Sequence, residues 1–376
     1  MKSHNEIKRH FGNFGFQWQE SLPIVSANPK LLFNISGGVV FEDAISHEAI
    51  PKKTRVVSVQ TCLRTDRWEK IGLSGRHHFA FDMLGHFSLY EGKEQEVKDV
   101  MIKSAWRYLT DCAGISPSSL SATVYPQDAV SQSVWERIGV RTVLSDENVT
   151  FTPTRNRCGV RTEIVWHNPN TQSTVELWNL VFTQFQGENL FVSPMEKIAA
   201  DSGASIDRIV TAIECCESDY ANSLWKGLVS SITERSSVQE RTAICRLADL
   251  GKAAVLLVSQ GLKPGNKAAE YVLRKLIREA YIICRQVSMP FDEFGMISGN
   301  YWTSENVTRD TISPVFAEEV SKFEQGLERG RKEYSKLISR RQGLLTEQDI
   351  EYLASTFGYP KDLIKLEEDR RKKEAV

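Results

Sequence analysis

The period of the apolar residues changes once along this chain, near residue 205, and no other sequence feature constrains the fold as strongly. Before that point short runs alternate apolar and polar positions: Val56 to Cys62, His77 to Met83, Leu120 to Tyr125, Arg161 to Trp166 and Val175 to Phe185. Alternation marks strands with one buried face. With few helix-length spacers between the runs, it predicts an antiparallel sheet with helices on one side. One helix is expected within this half, from Lys93 to Cys112, where Val97, Met101, Ala105, Tyr108 and Leu109 recur at helical spacing. Beyond residue 205 the period is 3.6, and Ile206 to Cys215, Ala221 to Ile232, Ala243 to Gln260, Ala268 to Cys284 and Pro314 to Ile338 read as helices. Pro264-Gly265-Asn266, a loop from Pro290 to Trp302, and Gly358-Tyr359-Pro360 are expected to separate them. The fold class is therefore α+β: an antiparallel sheet flanked by helices over residues 1–219, followed by an all-helical domain over 220–376.

A chain of 376 residues exceeds what one core usually supports, which agrees with two domains. Its 41% hydrophobic and 25% charged residues exclude disordered and fibrous classes. No apolar run reaches the roughly eighteen residues of a membrane span, and the first residues resemble neither a secretory signal nor a transit peptide, so a cytoplasmic location is expected. Seven cysteines without a C-x-x-C pair suggest reduced thiols and no zinc cage. The adjacent His77 and His78, placed on a strand, would point to opposite faces and could not share an ion. A net charge of −1 excludes nucleic-acid binding through bulk positive charge and leaves local patches open.

Two segments carry residues suited to nucleotide chemistry. Ser74 to Ser88 reads as two strands joined by a turn at Gly85, with Arg76 on the sheet and Asp82 six residues later; a guanidinium clamps phosphate, and a carboxylate accepts from an amino group. Asp201-Ser-Gly-Ala-Ser-Ile-Asp-Arg208 reads as a glycine-containing turn before a helix that opens with a second arginine. A surface ion pair and a helix cap are the plainer readings of these two segments.

Their wording is similar to the alanyl-tRNA synthetases, within the class II aminoacyl-tRNA synthetases. That family has A-R-H-H-T-F-F-E-M-L-G-N-F-S-F where this chain has Gly75-Arg-His-His-Phe-Ala-Phe-Asp-Met-Leu-Gly-His-Phe-Ser-Leu89. It has E-I-W-N-x-V-F-x-Q-F at Glu176 to Phe185, and D-T-G-M-G-L-E-R at Asp201 to Arg208. Asn28 to Phe33, Val59 to Arg64, Leu120 to Tyr125, Pro264 to Arg278, Leu327 to Gly330 and Thr356 to Leu363 resemble further family segments in the same order. The resemblance implies an enzyme that uses ATP and Mg²⁺ to activate an amino acid as its adenylate, alanine or a close analogue, and then transfers it to the 3′ end of a tRNA. Acting as monomer or homodimer, it would have no membrane partner.

By the same resemblance Arg76 would hold the α-phosphate, Arg208 the γ-phosphate and one adenine face, Phe87 the other face and Asp82 the adenine amino group. Thr150, Trp178, Asn179, Val181, Asp201 and Gly203 would line the amino-acid pocket, with Asp201 gripping the ammonium. Asn266, Arg274, Lys275, Arg278 and Ser355 would meet the acceptor stem. Three departures stand out. Thr150 replaces the family's pocket tryptophan, while Arg155, Arg157 and Arg161 replace small or apolar residues. These suit either a loop packed elsewhere with its arginines solvated, or a substrate other than plain alanine or an acceptor with its own anionic group. Ser355 replaces an aspartate that helps read a G·U pair. The sequence ends where the family continues into editing and oligomerising domains, so no proofreading is expected. These departures motivate a second expectation, delivery of the aminoacyl group to a small molecule or a carrier protein.

Overall fold

A computed structural model describes residues 4–41, 54–89, 93–152, 156–341 and 345–374. It forms two units, Met1–Arg67 with Ala80–Lys226, and Trp68–Phe79 with Gly227–Val376.

The first unit holds one mixed sheet. Its strands are β1 (Gln17–Trp18), β2 (Arg55–Leu63), β3 (Ala80–Leu89), β4 (Leu120–Val124), β5 (Thr142–Leu144), β6 (Val149–Thr152), β7 (Arg157–His167), β8 (Thr174–Gln186) and β9 (Pro194–Ser205). Their order is β1-β2-β3-β9-β8-β7-β4-β5, with β6 also on β7; the pairs are antiparallel except β1 with β2 and β4 with β5. Along β7, β8 and β9 buried residues alternate with half-buried ones, as strand geometry requires when one face is packed. The packed face carries Val57, Leu84, Val160, Ile164, Trp178, Leu180, Phe182, Ala200 and Ala204. It meets α1 (His4–Gly12), α2 (Glu94–Arg107) and α4 (Ile206–Ile213) through Phe11, Val97, Met101, Ala105, Ile206 and Ile209 in one apolar cluster. Helix α3 (Ala129–Ile138) adds Val134 and Trp135.

Three local expectations are corrected. Gly85 makes no turn: β3 runs unbroken past it, because a Cβ there would lie 2.8 Å from both the Phe87 ring and the Ser202 carbonyl, so glycine permits close packing within a continuous strand. Arg76, His77 and His78 precede β3 in a loop, and do not lie on a strand. Asp201 to Ser205 is the last part of β9, extended up to the Ser205 cap of α4, where a turn was expected.

The second unit is helical: α5 (Lys226–Arg235, whose first residue belongs to the first unit), α6 (Arg241–Ser259), α7 (Ala268–Gln286), α8 (Phe291–Trp302), α9 (Ser313–Arg340), α10 (Glu347–Phe357) and α11 (Lys361–Glu374). Helix α8 occupies the expected Pro290 to Trp302 loop. Pro290 stands at its N-cap, and Gly295 and Gly299 pack where any Cβ would sit 3.3 Å from Phe316 and 2.4 Å from Thr308. Gly358 closes α10 in the left-handed conformation. Among the described residues no helix is long and apolar enough to cross a membrane.

Candidate functional site

The half-buried face of the sheet brings most of the expected pocket residues together within the first unit. Register pairs Asp201 with Val181 and Val181 with Arg161, so these three form one row across β9, β8 and β7. The next row is Gly203, Asn179 and Glu163. Thr150 pairs with Gly159, which lies beyond Arg161 on the same side. Gly203 is needed as the floor, because a Cβ there would meet Met83 Sδ at 2.9 Å. The Oδ1 of Asn179 is buried with no hydrogen-bond partner, an acceptor waiting for a donor. Arg161 Nε lies 3.4 Å from Glu163 Oε1, and Glu163 also accepts from Thr123 Oγ1 at 3.2 Å. Burial, with the neighbouring Glu176 carboxylate behind it, raises the pKa of Glu163 against the pull of Arg161.

Trp178 does not belong to this pocket. A bulge between Ile164 and Val165 of the paired β7 lets Leu177 and Trp178 both enter the packed face, where Trp178 is fully buried against Phe11, His86 and Tyr108. Arg157 is buried rather than solvated, and Arg155 lies outside the described residues.

Of the residues expected around a nucleotide, Asp82, Phe87 and Arg208 belong to the first unit and Arg76 to the second. Asp82 accepts from Thr61 Oγ1 at 2.7 Å, and because β3 keeps its register, Asp82 and Phe87, an odd number of positions apart, point to opposite faces. Phe87 is itself fully buried. Its ring lies beneath Gly37, where a Cβ would approach Cζ to 3.3 Å, so no ring face is presented to an adenine. Arg208 projects from the first turn of α4 and donates from Nη1 to the Glu176 carbonyl at 3.0 Å. Arg76 sits on the second unit's 68–79 segment, its backbone N–H on Ser74 Oγ at 3.3 Å.

The second unit contains a groove of about 790 Å³ that gathers three expected contacts, Arg274, Lys275 and Arg278, with Arg246 and with Trp68, Tyr271 and Phe323. Each of the three cations lies over a ring: Lys275 Nζ is 3.7 Å from Trp68, Arg274 5.3 Å from Tyr271 and Arg278 4.7 Å from Phe323. Arg278 is braced by Glu319 at 2.6 Å, and Arg274 donates to Asn266 Oδ1. These side chains line a cleft. Ser355 stands apart from the groove lining, its hydroxyl donating back to the Glu351 carbonyl at 2.7 Å.

The family model of class II (A) tRNA synthetases matches residues 6–373, nearly the whole chain. This chain belongs to that family. Its curated relatives include the alanine–tRNA ligase of Thermotoga petrophila, 29% identical over 402 residues, covering 95% of this chain and 46% of that protein. The alanine–tRNA ligase of Nitrosococcus oceani is 28% identical over 403 residues, covering 96% and 46%. The chain thus spans about half the length of the curated relatives it matches. Among solved structures, apo S. aureus histidyl-tRNA synthetase aligns with 56% of this chain and 68% of its own at 10% identity and a TM-score of 0.40.

Several residues important to this synthetase-family fold carried no signal in the sequence. Lys98, fully buried, pairs with Asp128 and Glu94, each at 2.7 Å. His86, at the family's asparagine position, is buried among Phe11, Phe16 and Trp178, with Nδ1 2.6 Å from Ser202 Oγ and Nε2 3.1 Å from the Met101 carbonyl; burial pushes its pKa down to about 3. Asp249 holds His78 Nδ1 at 2.6 Å and the Phe79 N–H at 2.7 Å. A lone lysine on a helix or an aspartate in an apolar one announces its partner only when the chain is folded. Among the described residues, no group of three or more His, Cys, Asp or Glu side chains is placed to hold a metal.

Proposed function

We propose that this chain is an adenylate-forming ligase that activates an amino acid with ATP and transfers it to the 3′ end of a tRNA. The observation that carries the reading is the open sheet face, where Asp201 and the donor-less Oδ1 of Asn179 flank a floor kept clear by Gly203. A carboxylate beside an unsatisfied amide oxygen suits a substrate ammonium. The substrate's own carboxylate is already a nucleophile at neutral pH, so the chemistry needs no general base. The barrier lies in bringing two anions together in line at the α-phosphorus. Arg76 and Arg208, assigned to phosphate on their motif positions, would offset that charge. Mg²⁺ would arrive on the triphosphate, as is usual for an ion that keeps its waters and substrate oxygens.

The ring-backed cations of the groove, Arg274, Lys275 and Arg278, support a nucleic-acid acceptor, since guanidinium and ammonium groups meet phosphates and the exposed Tyr271 ring suits a base. Ser355 favours the second reading, transfer to a small molecule or carrier protein, because its hydroxyl is committed to its own helix and offers no free donor at the position where a base edge would be read.

Amino-acid-dependent exchange of labelled pyrophosphate into ATP tests the activation step. We expect exchange with at least one amino acid, and a loss on the order of a hundred-fold or more in Arg208→Ala, by analogy with other preorganised charge stabilisers. No exchange across the amino-acid panel overturns the ligase reading. Exchange without charging of purified tRNA moves the assignment to the second acceptor class.

A further inference from the structure

We propose that Arg161 and Glu163 read the side chain of the activated amino acid, and that this substrate is a neutral amino acid ending in a hydroxyl or a carboxamide. The inference rests on the amino-acid-activating reading above. Neighbouring strands are about 4.8 Å apart, so the row Asp201, Val181, Arg161 spans about 10 Å. A substrate whose ammonium lies at Asp201 sends its side chain over Val181 toward Arg161. Gly159 beyond and Gly203 behind contribute no side chains to fill the space, and Thr150 borders it with a small side chain.

What waits at the end of that path is a matched donor and acceptor. Arg161 Nε is buried and makes no hydrogen bond: Glu163 Oε1, at 3.4 Å, balances its charge without satisfying its N–H. Glu163 accepts one hydrogen bond, from Thr123, and retains acceptor capacity. A hydroxyl or carboxamide supplies both missing halves, accepting from the guanidinium and donating to the carboxylate. The methyl of alanine supplies neither. An anionic side chain is disfavoured, because Arg161 is already neutralised and Glu163 feels repulsion from Glu176 and Glu147. The arginine that, from sequence, suited a substrate other than plain alanine or an anionic acceptor is thus matched, once its partner is known, to a neutral polar side chain.

Pyrophosphate exchange by the full chain, with serine, threonine, asparagine, glutamine, alanine, aspartate and glutamate, tests this. A site built to hydrogen-bond a substrate group rejects an analogue lacking it by roughly 10⁴ to 10⁵, whereas an extra methylene is worth only about 10 to 200-fold. The expected result is that kcat/KM for one neutral polar amino acid exceeds those for alanine and aspartate by at least about a hundred-fold. Arg161→Met, which keeps the length of the aliphatic stem, should cut that ratio to within about tenfold, mainly through KM. Glu163→Gln should narrow it too, and serves as the second variant if Arg161→Met does not fold. Preference for alanine or for an acidic amino acid, or an unchanged ratio in a variant that melts like the parent, overturns the inference alone. Absence of exchange with every amino acid overturns the activation reading beneath it.

Discussion

Two glycines on the open face separate the demands of the pocket from those of the fold. A Cβ at Gly159 would lie 1.8 Å from the Phe182 carbonyl oxygen, a backbone atom with nowhere to go, so Gly159→Ala should cost about 3 kcal/mol or more in urea unfolding. At Gly203 the obstruction is the flexible Met83 thioether at 2.9 Å, so Gly203→Ala should melt within a few degrees of the parent while raising the amino-acid KM in pyrophosphate exchange. His86 gives a pH signature. It is held neutral in the fold, with its pKa near 3, whereas the unfolded chain takes up a proton below about 6.5. Its contribution is therefore intact above the unfolded value and is lost as pH falls from about 6.5 toward 3, at up to about 1.4 kcal/mol per pH unit. His86→Asn should flatten the dependence of Tm on pH across that window; an unaltered slope would show that other groups set it.

Within the elements, the buried Lys98 ties α2 to the start of α3. Its ammonium meets Asp128 Oδ1, which also accepts from the Ser131 N–H as the helix cap, and the side chain passes over the Phe182 ring at 5.2 Å. Lys98→Met leaves Asp128 buried without a counter-charge and should destabilise the chain by about 3 to 5 kcal/mol, most of it recovered by adding Asp128→Asn. Urea midpoints of the two single variants and the double variant measure this coupling. The elements were the most legible level of the sequence. Alternation located β2, β4, β7 and β8 to within a few residues, and helical spacing located α2, α6, α7 and α9, because each buries one face and repeats its own period. At Gly85 and after Pro290 the sequence signal points the wrong way for one reason. Glycine and proline mark turns locally, yet here they serve close packing and a helix start, and both depend on neighbours far away in sequence.

At the scale of the whole molecule, residues 68–79 lie between strand-forming segments in the sequence but belong to the helical unit, which a single linear boundary does not express. Asp249 of α6 anchors the end of the segment through His78 and Phe79, and Arg246 donates to the carbonyls of Trp68 and Ile71, each at 2.9 Å. Asp249→Ala should therefore cost about 2 to 4 kcal/mol, the penalty for stranding buried hydrogen-bonding partners, and should open the segment to limited proteolysis between residues 68 and 79. Protection equal to the parent's would show that apolar packing of Ile71 and Phe79 suffices.

The sequence by itself determined the fold class, the change from sheet to helices and the family, and it named Asp201, Asn179, Val181 and Thr150 as candidates without fixing their surroundings. These follow from periodicity and from short motifs, both of which are local. Only the tertiary structure decided which face each of those residues occupies. A bulge between β7 and β8 sends Trp178 into the core beside Leu177, an unbroken β3 turns Asp82 away from Phe87, and register sets Arg161 at the end of the row that begins at Asp201 and Glu163 at the end of the next row, behind Asn179. One residue more or less in a strand exchanges its two faces, and whether that happens is settled by the strands alongside it.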